Sequence, residues 1–363
     1  MAVAVVVLAV LWNGSDFANT DLRTAAGKPS VPTRALPGDS VTLAWSAGTG
    51  PADTYAVEAS TVITGNEHGL AGLDQATGEE RWHYLRSTAT LCDWTGADDV
   101  VVAVFRTDGG CDEAVALDAD TGQRRWYRSV SFLSAITLRS TDQLTVAFTP
   151  TGLTVLGTVT NGLRWRYDPP GGCLIGDALP GDVGVVVALD CPEAGSSLVV
   201  LDGFTGEQRW TATPAGGPLH LLSASGDVGV LSGSAQARLQ VFDRDGVQLT
   251  DLVDPALAVE GSAVPRAIAL PDRYVLTTGS AVLLLDLRNG SISWVRPATT
   301  TAVLLGKSLL VYDGTDFAQL DLVTGGTQRS IAAAGEMPPR GATLELLGSS
   351  IVVGAADQVR VYR

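Results

Sequence analysis

The chain has 363 residues, 45% of them apolar, and its 24 basic and 39 acidic residues give a net charge of −15. A protein this acidic is repelled by phosphate backbones and anionic lipid surfaces, and no long cluster of lysine or arginine offsets that repulsion. These numbers argue against nucleic acid as a partner and leave enough apolar sequence for a large core.

The chain starts with an unbroken apolar run over residues 2–12. The run has the length of a signal-peptide core but lacks a basic flank, and it is shorter than the roughly 20 residues that cross a bilayer. We expect residues 1–12 to be a truncated membrane anchor or signal-type segment, with a buried strand as the alternative. The proline-containing polar residues 13–39 are expected to form a flexible extracytoplasmic linker.

Beyond the linker, an apolar strand followed by a turn with aspartate and glycine recurs seven times. The turn glycines lie 44, 40, 44, 40, 44 and 35 residues apart. They are Gly78, Gly122, Gly162, Gly206, Gly246, Gly290 and Gly325. A period near forty with several short strands per unit is typical of a β-propeller blade.

The tail after the seventh repeat predicts three more strands, at residues 344–347, 350–355 and 358–362, but no fourth. The segment from Ser40 to Trp45 has the length and the terminal tryptophan of a fourth strand. Pairing it with the tail would close the ring and cover an open sheet edge. The sequence therefore predicts an all-β, eight-bladed propeller over residues 40–363, with four-stranded antiparallel blades and an N-terminal closing strand. Seven blades is the alternative.

A tryptophan follows most of the turns, and we expect its indole to lie against the neighbouring blade. Burial of about 150–250 Å² per indole would hold the blades together. A carbohydrate- or cofactor-stacking site would need these rings to converge, which one ring per blade does not do. The predicted structural residues are Trp45, Trp82, Trp126, Trp165, Trp210 and Trp294, with Gly78, Gly122, Gly206 and Gly290.

The four cysteines form two pairs with similar internal spacing. Cys92 and Cys111 lie 19 residues apart, and Cys173 and Cys191 lie 18 apart, about two blades further on. This duplication predicts the disulfides Cys92–Cys111 and Cys173–Cys191, hence an oxidising compartment. Reduced core thiols are the alternative. A metal site is disfavoured, because no two cysteines have metal-ligand spacing.

The sequence offers few other candidates for catalytic, cofactor-binding or metal-binding residues. The three histidines are His68, His83 and His220, of which His220 could face the central channel. Asp118 with Asp120, or Asp243 with Asp245, could chelate calcium in a turn, although turn capping explains them more simply. No nucleophile elbow, zinc helix or phosphate-binding glycine loop is present. We therefore predict no catalytic, cofactor or metal residue.

The pattern Ala-x-Asp-x-x-Thr-Gly-x-x-x-Trp is met in full by Ala116, Asp118, Thr121, Gly122 and Trp126, and nearly so by the repeats ending in Trp82 and Trp210. It resembles the tryptophan-docking motif of the PQQ-like, or quinoprotein alcohol dehydrogenase-like, β-propellers. The resemblance implies eight blades. That family includes quinone-dependent dehydrogenases and non-catalytic scaffolds, such as the lipoprotein of the bacterial outer-membrane assembly machine.

The quinone-binding enzymes of that family use adjacent cysteines, a stacking tryptophan and a calcium ion, and this chain has no Cys-Cys pair. The resemblance therefore implies a non-catalytic scaffold without a cofactor. We expect a monomeric extracytoplasmic propeller, held by a single-pass anchor at the cell membrane or secreted after cleavage, that binds an unidentified protein or cell-envelope partner. The alternative is a small-molecule-binding propeller, at the extreme a PQQ-dependent oxidoreductase.

Overall fold

A computed structural model describes residues 18–49, 55–107, 109–132, 135–193, 195–233, 236–259, 264–355 and 357–363. The predicted anchor at residues 1–12 lies outside these ranges. The described chain consists of β-strands and their connections, with one 3₁₀ turn at Pro255–Leu257. Within those ranges no helix is long and apolar enough to cross a membrane.

Two strands precede the repeats, β1 (Thr20–Arg23) and β2 (Ser40–Gly48). The next sixteen form blades one to four: β3 (Tyr55–Glu58), β4 (Thr61–Asn66), β5 (Gly69–Asp74) and β6 (Glu80–Arg86); β7 (Thr90–Ala97), β8 (Val100–Arg106), β9 (Cys111–Asp118) and β10 (Arg124–Phe132); β11 (Thr137–Ser140), β12 (Leu144–Thr149), β13 (Gly152–Gly157) and β14 (Leu163–Tyr167); β15 (Leu174–Gly181), β16 (Gly184–Cys191), β17 (Gly195–Leu201) and β18 (Gln208–Ala212).

The remaining fifteen form blades five to eight: β19 (Leu219–Ser225), β20 (Asp227–Ser232), β21 (Arg238–Phe242) and β22 (Gln248–Val253); β23 (Arg266–Leu270), β24 (Arg273–Thr277), β25 (Ala281–Asp286) and β26 (Ser291–Pro297); β27 (Val303–Leu305), β28 (Ser308–Tyr312), β29 (Phe317–Asp321) and β30 (Thr327–Ala334); β31 (Thr343–Leu347), β32 (Ser350–Ala355) and β33 (Gln358–Tyr362). Within each blade the strands pair antiparallel in chain order, and we call them A to D from the axis outward.

The apolar core lies between the blades. The middle strands of each blade are covered on both faces by neighbouring blades, so they are nearly continuous apolar runs without alternation. In β8, for example, six consecutive residues from Val100 to Phe105 are buried. Among the described residues, eight apolar clusters each join consecutive blades, and the last joins blade eight to blade one. The predicted all-β propeller of eight blades is confirmed.

The ring closes where the two chain regions meet, at a seam formed by β2, β30 and β33. Strand β2 pairs antiparallel with β33, with Leu43 opposite Tyr362, and so supplies the D strand that blade eight lacks. Its first residues also pair in parallel with β30, with Ser40 opposite Ala332. The predicted N-terminal closing strand is confirmed, and it also joins blade seven to blade eight.

The N-terminal segment differs from the expected free linker over residues 13–39. Strand β1 adds a fifth strand to blade one by pairing antiparallel with β6. The chain then continues along the ring, where Ala25 donates to the Thr121 carbonyl at 2.9 Å and Ala35 donates to the Gly348 carbonyl at 2.9 Å. Residues 20–39, the N-terminal strap, are thus attached to the propeller, because the edge of β6 offers unpaired backbone groups that β1 satisfies.

Candidate functional site

The tryptophans that follow the turns lie at the junctions between blades. Each indole N–H donates to a backbone carbonyl in the C–D turn of the next blade. The donor–acceptor pairs are Trp45–Gln75 at 3.0 Å, Trp82–Ala119 at 2.9 Å, Trp126–Thr158 at 3.0 Å, Trp165–Gly203 at 3.1 Å, Trp210–Arg244 at 2.9 Å and Trp294–Leu322 at 3.2 Å. These rings therefore do not converge on a ligand site.

The turn glycine provides the surface on which the indole lies. A Cβ added at Gly122 would come within 2.7 Å of the Trp82 ring, and one at Gly206 within 2.7 Å of the Trp165 ring. Gly78, Gly246 and Gly325 make equivalent contacts with Trp45, Trp210 and Trp294. These glycines also have positive φ, so both the backbone conformation and the close approach require glycine.

Two junctions lack the tryptophan. At blade five Thr250 takes its place and donates to the Leu287 carbonyl at 2.8 Å, near Gly290. At blade seven the equivalent residue is Arg329, which donates to Asp39 at 2.9 Å. Blade eight has no C–D turn on which a ring could lie, because its C and D strands come from opposite ends of the chain. Parallel pairing of β2 with β30 connects that junction instead.

Both cysteine pairs are disulfide-bonded. The Cα atoms of Cys92 and Cys111 lie 6.1 Å apart, and those of Cys173 and Cys191 lie 4.1 Å apart. Each bond lies inside one blade, in blades two and four, at the face that carries the B–C and D–A connections. The two bonds thus occupy corresponding places in two blades.

The aspartates suggested for calcium are used within the fold. One Asp118 oxygen accepts from the amides of Asp120 and Thr121, and the other pairs with Arg125 at 2.8 Å and Lys28 at 2.7 Å. Partial burial raises the pKa of Asp118, but hydrogen bonds from Lys28, Arg125 and Thr121 outweigh it and hold that pKa at about 2. Asp120 accepts from the Ser60 and Thr61 hydroxyls, each at 2.9 Å.

No group of three or more potential metal ligands occurs among the residues that the structure describes. Asp243 accepts from the amides of Asp245 and Val247, so it caps its own turn. His83 contacts Glu80 at 2.6 Å and Asp21 at 3.2 Å, which attaches β1 to β6. The His68 ring lies 3.1 Å from the Ala89 carbonyl, and His220 is exposed on β19.

A cleft of about 350 Å³ opens on the face that carries the A–B and C–D turns, here called the turn face. It extends across blades three, four and five, and its wall includes Asp142, Asp182 and Phe204. The Phe204 side chain is 53% exposed, and the Arg164 guanidinium lies 4.4 Å from its ring centroid. Phe204 was not among the residues predicted from the sequence, although an aromatic residue inside an Asp-Gly turn is a usable signal.

A second group of polar residues lies on the A strands, which surround the axis. Glu58 on β3 lies over Gly96 of β7, where a Cβ would come within 2.8 Å of the Glu58 Cγ. Glu345 lies on β31 of blade eight, next to blade one. Burial, followed by repulsion from Glu345, raises the pKa of Glu58 to about 7. Burial likewise raises the pKa of Glu345 to about 7, although Arg34, Tyr55 and Arg266 oppose it.

Tyr55 links the two blades beside these acids. Its hydroxyl accepts from the Thr343 hydroxyl at 2.9 Å, and its ring lies against the backbone of Gly354. Burial is the main reason that the pKa of Tyr55 is raised, and the charge of Glu345 adds to it. Sequence reasoning missed Tyr55, Glu58 and Glu345, whose only signal is a polar residue inside a short A strand.

Comparison with known proteins agrees with this architecture. A family profile described as outer membrane protein assembly factor BamB matches residues 33–167, 111–247 and 153–316, which together cover more than half of the chain. No protein with a curated description matches the sequence.

Three solved structures share the fold. BamB from Moraxella catarrhalis is 17% identical, with a TM-score of 0.55 over 89% of this chain and 99% of that one. The computationally designed protein Ika8 is 16% identical, with a TM-score of 0.62 over 93% and 99%. The Pan2 WD40 domain of Neurospora crassa is 10% identical, with a TM-score of 0.52 over 91% and 97%. From the profile match and the docking tryptophans, the chain belongs to the BamB family of PQQ-like β-propellers.

Proposed function

We propose that this protein is a non-catalytic, extracytoplasmic interaction scaffold that binds a protein of the cell envelope through its turn face. The observation that carries the proposal is the exposed Phe204 beside the cleft of about 350 Å³. Aromatic residues are enriched in protein–protein interfaces, where they insert into a partner and lose their contact with water. The family of the chain supports the proposal, because its description names an outer-membrane assembly factor.

The proposal places the propeller outside the cytosol, tethered to the membrane through the residues before the strap. Two disulfides support this location, because thiols stay reduced in most cytosols. Alkylation of thiols in intact cells, with and without prior reduction, tests it. We expect labelling of the four cysteines only after reduction, and labelling without reduction would contradict the location.

The scaffold role is tested by a photo-reactive amino acid placed at position 204 of the full chain in its native cells. Val323 provides the matched control, because it occupies the same position of the Asp-x-x-Thr-Gly turn in blade seven and is 60% exposed. We expect one envelope protein to be cross-linked repeatedly from position 204 and not from position 323. The same products from both positions, or none from position 204, would reject the turn-face cleft as the binding surface.

A further inference from the structure

The D strands form the outer edges of the blades, and in each of them one residue bulges out of the pairing with strand C. The bulged residue directly precedes the docking tryptophan or the residue that replaces it. From blade one to blade eight these residues are Arg81, Arg125, Arg164, Arg209, Leu249, Ser293, Gln328 and Ala44. Four blades thus carry an arginine at this position, whereas blade five carries a leucine that is 46% exposed.

The edge of β22 in blade five lacks the positive charge found on blades one to four. Charged side chains on an edge strand discourage pairing with a further strand, because pairing would remove them from water. Strand β22 contains no lysine or arginine. Its single charged residue, Asp251, accepts two hydrogen bonds from the Arg238 guanidinium, each at 2.6 Å. This edge is therefore the least protected against pairing with another strand.

Three large apolar side chains are exposed along β22 and the turn before it. Besides Leu249, Val247 is 60% exposed and Val253 is 53% exposed. Val247 directly follows Gly246, on which the half-buried ring of Trp210 lies. Among the described residues no strand pairs with the outer side of β22. Blade five thus combines unpaired backbone groups with exposed apolar side chains at one edge.

Blade one shows how the same kind of edge is filled. There β1 pairs antiparallel with the outer side of β6, from Thr20 opposite Arg86 to Arg23 opposite His83. Because β6 and β22 are both D strands, an extended segment can pair with β22 in the same way. Main-chain hydrogen bonds would supply the affinity, and alternate side chains of the segment would contact the exposed apolar residues.

The charges next to β22 indicate the sequence that such a segment should have. Asp243 and Asp245 lie in the turn before the strand, and Asp254 directly follows it. Arg244 is the only basic residue from position 243 to position 259. Both ends of the strand are therefore acidic, in a chain whose net charge is −15.

We propose that β22 of blade five binds an extended segment of another protein, with alternating apolar residues and lysine or arginine at its ends. Opposite charges at the ends of the strand favour this segment over an acidic one. They also disfavour a second copy of this chain, because its β22 has the same acidic flanks. The inference does not rest on the proposed turn-face role, because it concerns the outer edge of one blade.

The test uses the purified full chain and a fluorescent heptapeptide in which valine and threonine alternate between two terminal lysines. Saturable binding, measured by fluorescence anisotropy, supports the site, and slower hydrogen exchange at the amides of residues 248–253 locates it. We expect the same peptide with terminal glutamates to bind severalfold more weakly, because β22 has acidic flanks.

A variant that restores the missing charge tests the edge directly. Leu249→Arg gives blade five the arginine of blades one to four, and we expect it to weaken binding of the lysine-ended peptide by about tenfold or more. Ser293→Arg, at the exposed bulge of blade six, is the matched control and should bind as the wild type does. Thermal melts confirm folding, and Val253→Arg decides if Leu249→Arg does not fold.

Four results would overturn the inference: no saturable binding, equal binding by the wild type and Leu249→Arg, protection outside residues 248–253, or equal affinity for the two peptides. Self-association of the wild type that Leu249→Arg abolishes would also overturn it, because a second copy would then occupy the edge. None of these results bears on the turn-face cleft, which cross-linking from position 204 tests separately.

Discussion

At the scale of the residue, the most constrained positions are the turn glycines beneath the indoles. The glycine allows the positive φ of the turn and also leaves space for the ring of the preceding blade. Gly122, with φ +69°, lies under Trp82, which is fully buried. Gly162 marks the corresponding turn in blade three, yet a Cβ there would meet only the Thr160 hydroxyl oxygen, at 3.7 Å.

We therefore expect Gly122→Ala to destabilise the protein by about 2 kcal/mol or more, because the added methyl group clashes with Trp82 and strains the backbone. Gly162→Ala is the matched control and should change the free energy of unfolding by less than about 0.5 kcal/mol. Denaturant unfolding of both variants measures the difference. Equal destabilisation would show that the ring contact is not what requires glycine.

At the scale of the element, the blades with a disulfide differ from the others in how their inner strands are held. Each bond joins positions 19 or 18 residues apart within one four-stranded sheet. Cys92 lies at a bulge of β7 between Leu91 and Asp93, whereas Cys191 ends β16. Each bond lies within one blade, whose strands are already held together by backbone pairing, so the bonds act mainly by restricting the unfolded chain.

Replacing both Cys173 and Cys191 by serine should lower the free energy of unfolding by about 3 kcal/mol, the value expected for a closed loop of this length. The Cys92 and Cys111 pair should give a similar loss, because the two loops are nearly equal. The check is denaturant unfolding with and without reductant. Reductant should destabilise the wild type by more than it destabilises either double variant, and an unchanged wild type would contradict this.

At the scale of the whole molecule, stability depends on closing the ring between blades eight and one. Strand β2 completes blade eight and pairs with blade seven, while Trp45 contacts blade one. The same junction contains Glu58 and Glu345, both with pKa raised to about 7. The closure of the ring thus combines the backbone pairing of β2 with two nearby acids, on β3 and β31, that are unfavourable when charged.

A chain without residues 1–48 should lose the closing strand and expose the edges of β30 and β33. We expect it to self-associate through these edges, as measured by size-exclusion chromatography with light scattering. A chain without residues 1–17 keeps β1, the strap and β2 and is the control, expected to remain monomeric. A monomeric, cooperatively unfolding protein without residues 1–48 would show that β2 is dispensable for closure.

The acids at this junction predict how stability depends on pH. Because the folded pKa of each carboxyl lies above the unfolded value near 4.5, the folded state binds the proton more tightly. The contribution of these two carboxyls to stability should therefore be largest below about pH 4.5 and should be lost as the pH rises through about 7. At pH 8 we expect Glu345→Gln to be more stable than the wild type by about 2 kcal/mol, and nearly equal at pH 4.

Glu207→Gln, on an exposed turn, is the control for this pH series. Chemical unfolding at pH 4, 6 and 8 separates the variants. A Glu345→Gln effect that is independent of pH would mean that the pKa of Glu345 is the same in the folded and the unfolded protein, so that folding does not raise it.

Much of the fold follows from local features of the sequence. The forty-residue period, the Asp-Gly turns and the duplicated cysteine spacing each depend on a few neighbouring residues, so they can be recognised from the sequence alone. The tail without a fourth strand and the segment from Ser40 to Trp45 together predicted the closure, because an unfilled sheet edge needs a partner.

Only the tertiary structure decided which distant residues meet. Tyr55 and Thr343 are 288 residues apart in the chain, yet their hydroxyl oxygens lie 2.9 Å apart because blades one and eight are neighbours in the closed ring. The strap was expected to be free, since its proline-containing sequence has no strand pattern, yet the edge of β6 provides the partner for β1. Periodicity along a chain determines the repeating unit, whereas the ring determines which side chains of different units become neighbours.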